Sequence, residues 1–372
     1  MTTKPTQTDL LQELVYARGP CGQEDEVRVI CERELNRHCD KVWVDTAGNV
    51  VGLVRGAPAG KGSGGQSSAI RVMAHMDELG MIVKRVDATG AIRVANICAV
   101  GGMRPGCFGQ GPVDILADTG IVPGVLSLGP QHSTAETANV EEAKTKALDW
   151  SHLHVFTHKT AEELAKLGVH AGTRVAIARE RRKLWETGDC VGGYFMDDRA
   201  AIVIALAAAA QLKAAKKRSP QDVYFVMTTE EECGGVGAAY ASRTLPGDTT
   251  LALDVGPVCA EYGTEFRRDP IIAYGDARGL YCRALADALL GHARRLGQNA
   301  QCAVWECYGS DASIAKSFGQ VARAGLLCIP TQNTHGYEII LRESLQTCAD
   351  LLAAFLESGD GSTASYRNSR TR

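Results

Sequence analysis

Thr228-Thr229-Glu230-Glu231-Glu232-Cys233-Gly234-Gly235 decides the reading of this chain. It follows Val223-Tyr224-Phe225-Val226-Met227, an apolar run rich in β-branched and aromatic residues and short enough for a buried strand. Three carboxylates at the end of a buried strand raise one another's pKa and oppose folding unless a cation or a proton sits between them. The glycine pair permits a sharp turn before a helix that begins near Ala238-Ala239-Tyr240. Alone, the run would pass for a solvated acidic turn. It is not alone, because other strand ends and helix starts carry residues of the same kind.

Upstream, the strand Ile70-Arg71-Val72-Met73-Ala74 ends in His75-Met76-Asp77-Glu78-Leu79-Gly80. His75 and Asp77 project to the same side of an extended backbone. A carboxylate there accepts a hydrogen bond from the imidazole and fixes its tautomer for metal binding. Further on, Asp197-Asp198-Arg199 opens a long Ala-rich helix that Ser219-Pro220 ends. Two aspartates suit a helix N-terminus, and Arg199 is placed to hold one of them. Asp254 lies near the carboxyl end of the strand at 250–256, and the strand at 325–330 delivers Thr334-His335-Gly336.

His75, Asp197, Glu232, Asp254 and His335 are therefore five candidate ligands at ends that converge on a crevice in an open α/β sheet. Two imidazoles and three carboxylates, with no thiolate, suit two borderline divalent ions such as zinc, cobalt or manganese. Two ions sharing five protein ligands require one bridging carboxylate. Glu231 is then free to act on metal-bound water, and two ions about 3.5–4 Å apart activate water against a carbonyl or phosphoryl centre. The residues alone give a dinuclear metallohydrolase.

The rest of the chain bounds this reading. Its 372 residues suffice for two domains, and the net charge of −3 without a basic block argues against nucleic-acid binding. No apolar run is long enough to span a membrane, and the polar first residues lack the apolar core of a signal peptide. Thirteen scattered cysteines with no C-x-x-C pair predict a cytoplasmic protein whose thiols are mostly small buried groups. Residues 1–84 and 186–358 read as one discontinuous α/β domain, beginning with helices near 8–18 and 24–37. Residues 56–68 read as a Gly/Ser-rich hairpin tip, and 359–372 as a disordered polar tail. Residues 85–185 read as an inserted β-rich domain of short alternating strands with one short helix at 160–167. His132, His152, His154, His158 and His170 are irregularly spaced there, so surface or structural roles are expected. Further helices are expected at 280–296 and at 344–356, the latter with Ser344 as its N-cap.

In order and spacing, His75-x-Asp77-Glu78-x-Gly80, Asp197-Asp198-Arg199, Glu231-Glu232-x-Gly234-x-x-Gly237-Ala238, Asp254-Val255-Gly256, Gly309-Ser310-Asp311-Ala312 and Pro330 to His335 together resemble the tetrahedral (TET) aminopeptidases. That family includes glutamyl, deblocking and lysyl aminopeptidases, some formerly labelled endoglucanases. The resemblance implies a zinc-peptidase-like α/β/α sandwich with a mixed central sheet. It also implies that the inserted β domain makes the contacts of a homo-oligomer, usually twelve subunits in a hollow tetrahedron. By resemblance Asp197 bridges two metals, His75 and Asp254 complete one site, and Glu232 and His335 complete the other. Glu231 matches the general base, and Asp77 the carboxylate that orients His75. The implied reaction removes N-terminal residues from small peptides, a hydroxide held between the metals attacking the carbonyl.

Departures from the family pattern fall near the substrate pocket. Gly235-Val236 replaces a bulky residue and an arginine, and Thr331-Gln332-Asn333-Thr334 lacks an Arg-Tyr pair before Gly336-Tyr337-Glu338. They leave open a dinuclear deacylase or dipeptidase acting on a small modified peptide. A glycosidase would use paired carboxylates and no metal. Ser310 and Asp311 read as pocket structure and Cys233 as a packing residue.

Overall fold

The computed structural model describes residues 6–57, 69–97, 104–130, 132, 134 and 138–361. Most of the expected hairpin tip and polar tail therefore lies outside the described residues. Residues 359–361 do pack: the Gly361 carbonyl accepts from Thr249 Oγ1 at 3.1 Å and Arg323 at 3.3 Å.

Four parallel strands make the centre of the molecule, in the order Asp222–Thr228, Ala69–His75, Thr249–Pro257 and Arg323–Gln332. Their side chains alternate between two helical layers, which is why each reads as a mostly apolar run, interrupted by Arg71 in the second strand and Asp254 in the third. Ile70, Val72 and Ala74 face one layer, and Ala69 and Met73 the other. The helices Met196–Ala214 and Arg342–Ser358 cover the first face; Val236–Thr244 packs its Ala238 and Ala241 on the second. Antiparallel strands extend the sheet on both sides to twelve strands in all, so it is mixed. The α/β/α sandwich expected from the sequence is present.

Between Ala69–His75 and Met196–Ala214 the chain forms a closed six-stranded barrel. Its strands run Met81–Val86, Ile92–Asn96, His154–Phe156, Gly120–Ser127, Gly111–Ala117 and Arg174–Ile177 around the wall. Alternate residues such as Val113, Ile115, Val122, Leu126 and Val175 fill the interior. Closure pairs every strand and leaves no open edge. The barrel is fastened at its root by Glu78, fully buried, which takes Arg182 at 2.5 Å and Arg199 at 2.8 Å.

Several expectations change. Short helices Pro105–Phe108 and Ala138–Thr145 join the one expected in the insertion. The helix expected from 280 begins at Arg283, because Gly279–Leu280 turns back to pair with Ile271–Asp276. Ser344 does not cap: it is buried inside a helix that leaves Leu341 directly. None of the twelve described cysteines is in a disulfide, and only five are buried. His152 is structural, its Nδ1 accepting from the Asp149 amide at 2.9 Å.

The acidic stretch is tied to the sheet by Asn49, fully buried. Its Oδ1 accepts from Thr229 N at 3.0 Å and its Nδ2 donates to Gly237 O at 3.0 Å. A Cβ at Gly237 would stand 2.3 Å from Asn49 Oδ1 and 2.5 Å from Thr229 N. Gly237→Ala should therefore cost roughly 1–3 kcal/mol in urea unfolding, as overpacking does. Gly106→Ala, with nothing within 4 Å of the added Cβ and a place in the helix Pro105–Phe108, should not lower the midpoint. Equal midpoints for the two variants would refute this account of the tether.

Candidate metal centre

The crevice forms where the central strands part. Ala69–His75 and Thr249–Pro257 pair from Ile70 with Thr249 as far as Met73 with Ala252, and His75 and Asp254 flank the opening beyond. On the other side Thr228 pairs with His75, so the acidic stretch leaves the sheet beside it. Asp197 comes from the irregular start of the helix Met196–Ala214, where Asp197 (φ −74°, ψ 101°) and Asp198 (φ −120°, ψ 31°) are not helical. His335 sits between two strands of the sheet with φ 61°.

These segments bring all five predicted ligands together in two groups that share Asp197. His75, Asp197, Asp198 and Asp254 place ligand atoms within 4.8 Å of one another, and so do Asp197, Glu232 and His335. Asp197 has an imidazole on each oxygen: His75 Nε2 lies 2.9 Å from Oδ1 and His335 Nε2 3.4 Å from Oδ2. His335 Nε2 is 3.9 Å from Glu232 Oε2. Asp198, which the sequence reading left out of the ligands, accepts from His75 N at 3.1 Å.

The donor set fits divalent cations. It is imidazole and carboxylate throughout, and each group collects several carboxylates in a space shielded from water. Buried Glu232 Oε1 and Asp198 Oδ1 have no hydrogen-bond partner among the described residues. Negative oxygens left without a donor are the signature of a site built for a cation.

Asp77 does more than orient the imidazole, whose Nδ1 lies 3.3 Å from its Oδ1. It also accepts from the amides of Glu231 at 3.0 Å and Glu232 at 3.1 Å, while Cys21 Sγ approaches at 3.1 Å. Arg199 does not hold Asp197 or Asp198; its guanidinium turns to Glu78 and to the carbonyls of Met76 and Asp77. Ser310 caps the helix Asp311–Ser317, and Asp311 accepts from Thr228 Oγ1 at 2.5 Å. Glu338, only 1 % exposed, accepts from the amides of Asp197 and His335. A glutamate inside the otherwise apolar strand Tyr337–Leu341 was the one sequence signal for it.

A cleft of about 950 Å³ opens over the two groups, and Glu231, Glu232, Asp254 and His335 line its floor. Its walls are Ile97, Val255, Pro257, Tyr308 and Ile314, with Arg278 and Cys233 also lining it. Cys233 is exposed there rather than packed in the core.

A mixed-sheet sandwich with histidines and carboxylates at its parallel strand ends, carrying an inserted barrel, defines a class of metal-dependent hydrolases. Within that class the chain belongs to the M42 glutamyl aminopeptidase family, whose pattern matches residues 56–351. It is a metal-dependent aminopeptidase. A provisionally named aminopeptidase of Acetivibrio thermocellus is 28% identical over 335 residues, 88% of this chain and 91% of its own. The solved structure of an aminopeptidase from the archaeon Desulfurococcus kamchatkensis superposes with a TM-score of 0.82 at 26% identity, over 95% of this chain and 94% of that one. The TET1 peptidase of Pyrococcus horikoshii shares the fold, with a TM-score of 0.81 at 23% identity over 94% and 99% of the two chains. That peptidase can assemble into a tetrahedron or a large octahedral shell.

Without metal the centre is electrostatically overloaded. Shielding from solvent, followed by carboxylate repulsion, pushes Glu232 up to about 7 and Asp254 and Glu231 well above the usual carboxylate range. Asp311 rises to about 6, chiefly by burial. Burial opposes charge on His335, but Glu232 and Asp197 outweigh it and raise the imidazole to about 11. His75 is likewise raised despite burial by Asp197 and Asp77. Asp197 and Asp77 are depressed, because hydrogen bonds from the histidines overcome their burial. A raised group, carboxylate or imidazole, binds protons in the folded chain that the unfolded chain has already released. The two depressed aspartates are ionised in both states above their unfolded values and add no slope. From roughly pH 5 to 8 the metal-free protein should therefore lose stability as pH rises. Thermal midpoints in chelator across that range should fall, and added zinc should flatten the trend by replacing the protons. A flat or rising midpoint in chelator would contradict the assignment.

Proposed function

We propose that the two groups hold two divalent ions per subunit, zinc in the first place with cobalt and manganese as substitutes. Asp197 bridges, His75 and Asp254 complete one site, and Glu232 and His335 the other. The observation that carries this reading is Asp197 itself, with one imidazole against each carboxylate oxygen. When bound, such a pair polarises a scissile carbonyl and acidifies water.

The chain's own residues supply the rest. Glu231 lines the cleft, and Asp77 fixes its backbone amide, so its side chain is free to take a proton from the attacking water and return it to the leaving amine. The carboxylate-rich floor receives the free α-amine of the substrate, which makes the enzyme an exopeptidase. A cleft of about 950 Å³ suits the end of a small peptide. Nothing in this chemistry calls for an acyl-enzyme, nucleic acid or membrane.

The barrel, which takes up most of the inserted residues 85–185 and begins just before them with the strand Met81–Val86, is proposed to carry the contacts of a homo-oligomer, a dodecamer by family likeness. Ile121, Val125 and Phe156 stand exposed on adjoining barrel strands, and an apolar patch of that kind favours association. A cytoplasmic location is proposed as well, in keeping with twelve described cysteines of which none is in a disulfide.

Two variants separate base from ligand. Glu231→Gln keeps its shape and should retain both metals while the rate on aminoacyl-chromophore substrates falls roughly 10²–10⁴-fold. Glu232→Gln should instead lose affinity at one site and regain some activity at high metal. Metal analysis and turnover, measured side by side, decide between them; a Glu231→Gln protein that loses a metal while Glu232→Gln keeps both would overturn the assignment. The parent should hold about two ions per chain, since five ligands exceed what one tetrahedral ion takes. Light scattering should show an assembly, and a monomer would refute the role given to the barrel.

A further inference from the structure

We propose that Glu338 is the positioning residue that sets Asp197 and His335 against each other. The two reach the centre from parts of the chain far apart in sequence, and Glu338, three residues after His335, reaches across to Asp197. Glu338 joins them with one carboxylate: Oε2 accepts from Asp197 N at 3.0 Å and Oε1 from His335 N at 2.9 Å. Its own place is fixed by the sheet. The strand Tyr337–Leu341 runs antiparallel to Cys190–Tyr194 with Gly193 opposite Glu338, so the carboxylate lies beside the chain that enters Asp197. At 1 % exposure, water has little access to substitute for it.

Both oxygens are committed, so neither amide has a substitute acceptor on this side chain. Glutamine at this position offers one carbonyl oxygen and turns an N–H toward the second amide. One of the two ligands would then lose its anchor while every ligand atom remained present. Asp197 belongs to both groups and His335 to one, so the site they share feels the change in either case, and both sites feel it when the lost anchor is that of Asp197. The inference rests on reading those groups as metal sites.

The test is a cobalt titration of the metal-free parent, Glu338→Gln, Glu338→Asp and Ile340→Val, followed by chelator competition and visible absorption. Ile340 is fully buried in the same strand and serves as a packing control. Glu338→Gln should bind cobalt roughly 10–100-fold more weakly, the usual effect of removing a partner behind the ligands, with an altered absorption band. At saturating cobalt its kcat should recover substantially and its KM stay within twofold of the parent. Glu338→Asp keeps the charge but is too short to reach both amides, so it should be weakened too. It decides the matter by the same measure if the Gln variant does not fold. Ile340→Val should bind as the parent does. A parent that binds no cobalt overturns the metal centre and this proposal together. A parent that binds, beside a folded Glu338→Gln or Glu338→Asp with affinity within twofold, overturns this proposal alone.

Discussion

Negative charge crowded into a crevice shielded from water is the constraint on which the rest of this structure depends. Asp197, Asp198, Glu232 and Asp254 meet with His75 and His335 as their close counter-charges. The chain has arginines at hand and does not spend them here. Arg199 follows Asp198 directly, yet with Arg182 it is committed to Glu78, away from the ligand oxygens. An arginine among the carboxylates would satisfy them permanently and fill the space a metal needs. Leaving them short of positive charge costs stability and keeps the site open to a cation.

Such a cluster stays in place only if its backbone is over-determined. The amides of Glu231, Glu232, Asp197 and His335 all donate to buried carboxylates rather than to water. These hydrogen bonds orient the chain without using ligand atoms. Of the five described non-glycine residues with positive φ, four (Phe195, Glu230, Asn333 and His335) lie in or beside ligand segments, and the fifth, His158, lies in the insertion. Backbone strain gathered there is held by the sheet, the barrel root and those amide clamps.

What the sequence reveals follows from this arrangement. His75 and Asp254 are legible because a parallel strand buried on both faces is an apolar run, and a lone polar residue at its end has no structural reason to be there. Glu231 and Glu232 are legible because three adjacent carboxylates beside such a strand demand an explanation. Asp198 was passed over because its place among the ligands depends on a non-helical turn at the helix start, which a cap-like Asp-Asp pattern conceals. Glu338 shows only as a glutamate inside an apolar strand, and its role is hidden because its partners are amides, which carry no side-chain signature. Barrel closure was equally hidden, since it depends on Met81–Val86 pairing with Arg174–Ile177 across the whole insertion. At Leu280, pairing with Gly275 overrode a helix-forming composition, a tertiary contact outweighing local propensity.

The adjacency of Asp77 and Glu78 ties the halves of the molecule together. Asp77 points to the centre and holds His75 and the amides of Glu231 and Glu232. Glu78 points the other way and holds Arg182, whose guanidinium also meets the carbonyls of Val15, Ala17 and Ile177. Ile177 ends the last barrel strand, so this carboxylate gathers the barrel, the N-terminal helix region and, through Arg199, the helix that begins with Asp197. Both carboxylates are fully buried, so neither can relax toward water when its partners move. A shift of the barrel on the sandwich therefore has a direct route to the ligands through these two consecutive residues, and a second through Phe195, which packs in the barrel core two residues before Asp197. The seating of the barrel and the geometry of the candidate metal centre are coupled through these two short pieces of backbone.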